Sequence, residues 1–184
     1  MGNEQTLVSI GVPSYNSARF LCEALESAFA QSHRNIEVLL YNDGSTDRSL
    51  ELARSFRDPR LTVIDVSRNS GVALARQVIK TLARGEYLAW LDADDRFHPE
   101  RIEVLLEEAL ASGADLVIDN ACLMDEAGNL LPGERRVADH VVADPFFTRI
   151  FERNAMLPHP LVSRRCFSRI DYDPCLTTSE DYDY

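Results

Sequence analysis

The chain has 184 residues, 45% hydrophobic and 27% charged, with a net charge of −11. That length supports one domain with a real core, and the acidity excludes a nucleic-acid backbone as partner, because tracking phosphates needs a basic stripe. Nucleotides are not excluded, since a divalent cation can carry their phosphate charge.

Leu7 to Val12 reads as a buried first strand, broken at Pro13-Ser14-Tyr15-Asn16 because proline removes a ladder donor. Asn16 or Ser17 is placed to cap a helix whose apolar face is Leu21, Leu25, Ala28 and Phe29. Tyr15, in the turn, is either a ring for stacking on a planar ligand or one folded back on the core. Ile36 to Tyr41 is a second strand, and Asn42-Asp43-Gly44-Ser45-Thr46-Asp47 is the turn after it. Gly44 permits positive φ or close backbone approach. Asp43 is either a strand-end ligand group or a turn former. Ser45, Thr46 or Asp47 can cap the helix carrying Leu50, Ala53 and Phe56.

Leu61 to Val66 is a third strand, followed by a loop through Gly71 and a helix with Val72, Ala75, Val78, Ile79 and Leu82 on one face. Arg76 lies in the first turns of that helix, where a cation opposes the dipole. An anionic partner and a plain surface arginine are both open readings. Glu86 to Leu91 is a fourth strand, ending in Asp92, Asp94 and Asp95. Three carboxylates at a strand exit repel one another, which a divalent cation with hard oxygen ligands would relieve. The alternative is a solvated acidic loop before a helix.

Pro99 and Gly113 bracket an amphipathic helix with Ile102, Leu105, Leu106, Ala109 and Leu110, and residues 115–120 read as a fifth strand. Repeated strand-turn-helix units argue for a mostly parallel sheet with helices on both faces. Right-handed crossovers then bring the loops after strands one, two and four to one edge. Residues 125–129 suggest a hairpin turn, and Pro145 opens a short helical segment. Cys22, Cys122, Cys166 and Cys175 form no CxxC pair, which favours a reduced cytoplasmic protein over a disulfide framework or zinc site. No apolar run reaches ~18 residues, so no membrane span is expected, and no secretory signal appears. Met1 to Thr6 fits the short myristoylation pattern.

Taken together, the residues resemble the family 2 inverting glycosyltransferases, which have the GT-A fold. The segments that carry the resemblance are Val8 to Asn16, Asn42 to Asp47, Gly71 to Arg76, Leu91-Asp92-Ala93-Asp94-Asp95 and Ser179-Glu180-Asp181. One DxD alone is a weak signal, whereas five motifs in order are specific. The resemblance implies that Pro13 and Tyr15 border the nucleoside base and that Asp43 accepts a hydrogen bond from it. Arg76 would lie near the nucleotide, and Asp92 would hold ribose or metal-bound water. Asp94 would be the main contact of Mn or Mg, with Asp95 beside it. Asp181 would be the general base and Glu180 would position its loop or touch the acceptor. The implied donor is a nucleotide-diphosphate sugar, with UDP favoured, and the implied acceptor a glycan or lipid-linked hydroxyl in polysaccharide synthesis.

Two departures are Asn42, where an aspartate is usual, and Gln77, where asparagine is frequent. The family's domains usually continue past the base, so a C-terminally incomplete single domain is expected over 1–184. Its donor half would be about 1–120 and its acceptor half about 121–184. A cytoplasmic location is expected, with peripheral contact at the inner membrane face as a variant, and the oligomeric state is open. Alternatives are a nucleotide-sugar-binding domain without turnover and a nucleotidyltransferase. The latter typically carries a lysine in the first loop, which Gly11 to Ser17 lacks. A Rossmann dehydrogenase would need GxGxxG after the first strand.

Overall fold

A computed structural model of the chain describes residues 5–125, 128–135 and 160–169. Four strands run parallel: β1 (Val8–Ser14), β2 (Ile36–Asp43), β3 (Leu61–Val66) and β4 (Tyr87–Trp90). They alternate with α1 (Leu21–Phe29), α2 (Ser49–Ser55), α3 (Val72–Leu82) and α4 (Arg101–Ser112). Then come β5 (Leu116–Val117), the antiparallel hairpin β6 (Ala121–Met124) and β7 (Leu130–Arg135), β8 (Leu161–Ser163) and the short helix α5 (Arg164–Phe167). The main sheet has the order β3-β2-β1-β4-β8-β5. The predicted helical segment at Pro145 and the motif Ser179-Glu180-Asp181 lie outside the described residues.

Both faces of the sheet are covered, so the central strands are apolar at successive positions rather than alternate ones. Val38 and Leu40 of β2 pack under α1, α2 and α4, with Ile10, Leu25 and Leu106. Leu39 and Tyr41 of the same strand pack on the other face with Ile79 of α3 and Phe167 of α5. β4 divides the same way, Ala89 to the first layer and Leu88 and Trp90 to the second.

The structure changes three expectations. First, β1 continues through Pro13 to Ser14 instead of breaking at Pro13. The Gly11 carbonyl faces β4, accepting from Leu91 N–H at 2.9 Å, so the ring nitrogen of Pro13 faces that side too. The β1–β4 ladder has ended by then, at Gly11 opposite Trp90, and no donor is missed. Second, the fifth strand is only two residues long and does not pair with β4. Antiparallel β8 lies between them, held by Asp115, whose backbone oxygen and carboxylate accept from Ser163 and whose carboxylate also pairs with Arg165 at 2.7 Å. Residues after Val117 leave the ladder, and Asp119 pairs with buried Arg101 at 2.7 and 2.8 Å.

Third, neither Asn16 nor Ser17 caps α1 with its side chain. The helix begins at Leu21 without a side-chain cap, and the Ser17 carbonyl accepts from Phe20 and Leu21 N–H at 3.0 Å each. At α2 the N-cap is Arg48, with Asp47 just before it accepting from the Ser49 N–H at 2.9 Å, and Gly113 ends α4 in the left-handed region as expected.

At the amino-end edge, Glu37 ties three segments together. It accepts from Ser9 Oγ at 2.6 Å, and from Arg84 N at 2.6 Å and Nε at 2.8 Å. Burial alone would raise the Glu37 carboxyl, but these donors outweigh it and hold it below its ordinary value of 4.5. A depressed folded value means the stabilisation is present above the ordinary value and is lost as pH falls through the lower, folded one. Urea midpoints at about pH 7 and about pH 3 should therefore differ more for the native chain than for Glu37→Gln. A side chain at Gly11 would meet Trp90 at 2.5 Å and Ile79 at 2.7 Å. Gly11→Ala should cost about 1–3 kcal/mol by overpacking in the same urea assay.

Candidate functional site

In sheet order, β1 has β2 on one side and β4 on the other, so the chain reverses direction of growth between β1 and β4. Ligands of open α/β sheets bind outside the strand carboxyl ends at such a point. A cavity of about 520 Å³ opens there. Pro13 and Tyr15 come to it from the end of β1, Asp43 from β2, Arg76 from α3, and Asp92 and Asp94 from the exit of β4. Six of the sequence-predicted residues thus share one cavity. Asp95 lines the adjoining one. Glu180 and Asp181 lie outside the described residues.

Tyr15 is 50% exposed rather than buried in the core. Its neighbour Asn16 has a φ of 50° and acts as a latch between two loops. Asn16 Oδ1 accepts from Thr46 N at 2.8 Å and from Asp47 N at 3.3 Å, while its own N–H donates to Ser45 Oγ at 3.0 Å. Ser17 N–H donates to Ser49 Oγ and Ala18 N–H to Asp47 Oδ2. The polar residues expected at the helix cap join the first loop to the second instead. Burial alone would raise the Asp47 carboxyl, but donation from the Ser49 hydroxyl, Ser49 N–H and Ala18 N–H holds it below the usual range.

Asp43 is 3% exposed, and its carboxylate organises the third loop. Oδ1 accepts from Ser70 N at 2.8 Å and Ser70 Oγ at 2.7 Å, and Oδ2 accepts from Gly71 N at 2.8 Å. A carboxylate oxygen accepts two bonds, so Oδ2 retains capacity toward the cavity. Gly44, at φ 67°, meets both expectations for it: a Cβ would also lie 2.7 Å from the backbone of Arg68 and Asn69. Asn42 suits its place because its amide donates to Asp65 Oδ1 at 2.8 Å, where an aspartate would set two carboxylates together.

Arg76 is 3% exposed, with its guanidinium 5.7 Å from the Trp90 ring centre and 3.4 Å from Asp92 Oδ1. The anionic partner that its position in the helix suggested is thus, at least, Asp92. Asp94 differs. It is exposed, and its carboxylate makes no hydrogen bond or ion pair among the described residues. Among those residues no three His, Cys, Asp or Glu side chains converge as a preformed metal cluster. Two carboxylates, Asp92 and Asp94, nevertheless share the cavity wall. Hard oxygen donors of this kind fit Mg or Mn, which usually take their remaining ligands from water and phosphate.

Sequence reasoning missed Asn69, which also lines the cavity. It follows β3, and the crossover rule that gathered the other loops applies to that strand equally. Among the described residues, no helix is long and apolar enough to cross a membrane.

Residues 9–169 match the family model of Glycosyl transferase family 2, and the chain belongs to that family. It is 37% identical over 123 residues to glycosyltransferase GlyG of Streptococcus pneumoniae, spanning 66% of this chain and 41% of that protein. Residues 1–349 of S. aureus TarS superpose with a TM-score of 0.72 at 23% identity, over 95% of this chain and 52% of that one, which establishes the GT-A fold. A TarS complex with UDP-GlcNAc aligns at 28% identity with a TM-score of 0.57, over 59% of this chain and 32% of that one. A mannosyltransferase from Pyrobaculum calidifontis, bound to GDP-Man and Mn2+, aligns at 27% identity with a TM-score of 0.51, over 64% and 35% of the two chains.

The Asp43 clamp yields a prediction that needs no ligand. Asp43→Ala removes the acceptor of the Ser70 and Gly71 N–H groups and should cost about 1–3 kcal/mol in urea denaturation. Unchanged stability would show that the third loop holds itself.

Proposed function

We propose that this family 2 chain is a catalytic domain of a metal-dependent inverting glycosyltransferase. It moves a sugar from a nucleotide diphosphate, with UDP favoured, to a hydroxyl of a glycan or lipid-linked acceptor. The observation that carries the reading is Asp94, an exposed carboxylate with no partner among the described residues, at the switch point of the sheet. Its neighbours are tied down and it is not, as suits a group reserved for something that binds. The nucleotide sugars bound by TarS and by the mannosyltransferase support the same reading.

In this proposal the base lies between Pro13 and the exposed Tyr15 ring, and its N–H donates to the remaining lone pair of Asp43 Oδ2. Arg76 orients Asp92, which would hold ribose or a water of the cation site. Asp94, with Asp95 beside it, would hold Mn or Mg, which would supply Lewis-acid stabilisation of the charge on the leaving diphosphate. Asp181 removes the proton of the acceptor hydroxyl as that oxygen attacks the anomeric carbon from the opposite face, and Glu180 positions its loop. One displacement inverts configuration. Residues 1–120 form the donor half and 121–184 belong to the acceptor side. Peripheral contact with the inner face of the membrane suits a lipid-linked acceptor.

Calorimetric titration of UDP, GDP and TDP, each with and without Mn, tests the donor site. One nucleotide should bind in a metal-dependent manner, and Asp94→Ala should abolish the metal-dependent part. Absence of such binding for all three would refute the site. In a transfer assay Asp181→Asn should lower kcat by roughly 10²–10⁴-fold with nucleotide affinity kept. Nucleotide binding with no turnover in the native chain would favour a binding domain instead.

A further inference from the structure

Residues 91–100, between β4 and α4, form neither helix nor strand, yet they present Asp94. At the strand end the backbone is fixed by Leu91 N–H, which donates to the Gly11 carbonyl at 2.9 Å. The turn itself closes through Asp95 N–H on the Asp92 carbonyl at 3.0 Å. Asp94 adds no anchor of its own, since its carboxylate makes no hydrogen bond or ion pair among the described residues. An exposed side chain of this kind is aimed by the backbone that carries it, and that backbone by whatever supports it.

The backbone beyond Asp94 is held from α1. Glu23, Ser27 and Gln31 recur at intervals of four, so they share one side of the helix and of the turn that prolongs it. They take the loop in order. Glu23 Oε2 lies 3.1 Å from Arg96 Nη1. Ser27 Oγ accepts from Phe97 N–H at 3.1 Å and donates to the Ala24 carbonyl at 2.7 Å. Gln31 Nε2 donates to the His98 carbonyl at 2.8 Å and to the Ser27 carbonyl at 3.1 Å, while Gln31 Oε1 accepts from Ile102 N–H at 3.0 Å. Ser32 N–H adds a bond to the Pro99 carbonyl at 2.8 Å.

Gln31 is fully buried. Burying an amide costs free energy unless its polar atoms find partners, and here both N–H groups and the oxygen have them. An apolar side chain of similar size would fill the space without that condition, but it could not bind His98 and Ile102 at once. Neither Gln31 nor Ser27 lines either cavity to which Asp94 belongs, so their effect on a ligand passes through the loop.

We propose that Gln31, together with Ser27, is a positioning residue for the divalent cation: it fixes the backbone after Asp94 and so sets how tightly that carboxylate holds the ion. The inference rests on the donor-site reading and goes beyond it, because it assigns part of the cation affinity to side chains that touch neither ion nor nucleotide.

Three variants of the full chain test it. Gln31→Met keeps the length of the side chain without its polar atoms, Ser27→Ala removes the hydroxyl, and Ser27→Thr keeps one that can still bond the preceding turn of a helix. Each is titrated calorimetrically with UDP, GDP and TDP, with and without Mn, beside the native chain. Hydrogen exchange over residues 96–102 is compared with that over 42–47 in the ligand-free proteins. Gln31→Met and Ser27→Ala should speed exchange over 96–102 and lower the Mn-dependent gain in nucleotide affinity by roughly three- to tenfold, the equivalent of one hydrogen bond. Nucleotide affinity without Mn and exchange over 42–47 should stay as they are, and Ser27→Thr should behave as the native chain. An unchanged Mn-dependent gain overturns the proposal, as does unchanged exchange over 96–102. Equal loss of affinity with and without Mn marks a general structural role and overturns it too. If Gln31→Met does not fold, the two Ser27 variants decide, since they alter a single half-buried hydroxyl. A native chain with no Mn-dependent binding refutes the donor-site reading and this proposal with it, whereas a Mn-dependent native chain with unaffected variants refutes the proposal alone.

Discussion

Gly11 has no side chain, and Trp90 and Ile79 occupy the space that one would need. That close approach sets Gly11 against Trp90 in the parallel ladder of β1 and β4. Two residues beyond Gly11 lies Pro13, and two beyond Trp90 lies Asp92. The register therefore delivers the loop after β1 and the acidic motif to the same point above the sheet. Trp90 does further service there, since its ring lies beneath the Arg76 guanidinium that faces Asp92.

Around this junction the loops hold one another. Asp43 clasps the loop after β3, and Asn16 joins the loop after β1 to the loop after β2. Each bond satisfies a backbone N–H that would otherwise be left without a partner, which gives loops the definition that strands have from ladders. A site held this way is in place before a ligand arrives, and little ordering is needed on binding. Asp94 stands apart from the mesh, and Tyr15 is half exposed. Asp43, Arg76 and Asp92, by contrast, are tied into the fold as well as being proposed to meet the ligand.

The second half of the sheet follows a different logic. β8 returns antiparallel between β4 and β5, secured by Asp115, Ser163 and Arg165 rather than by a helix crossover. The β6–β7 hairpin stands outside the main sheet and is tied to the loop after β4 through Arg96. Polar contacts of single residues help to place these elements, although Leu161, Val162 and Phe167 also join the apolar core that holds the first four strands.

That difference explains what could be read from the sequence. The four parallel strands, their helices and the convergence of Tyr15, Asp43, Asp92 and Asp94 were legible, because apolar periodicity and crossover handedness are local or general rules, whereas Pro13 and Arg76 were assigned to the site by the family resemblance. β8 was not, since Leu161-Val162-Ser163 is too short to carry a period and its place depends on Asp115, far away in the chain. Nor was the latch of Asn16, whose local chemistry suits a helix cap equally well. Pro13 looked like a strand end because its missing donor is visible in the sequence, while the absence of a neighbour on that side is not. Sequence by itself determined the order of elements and which side chains could do chemistry. Tertiary structure alone decided their partners, because a polar side chain with several local options takes the one that packing brings within hydrogen-bond reach.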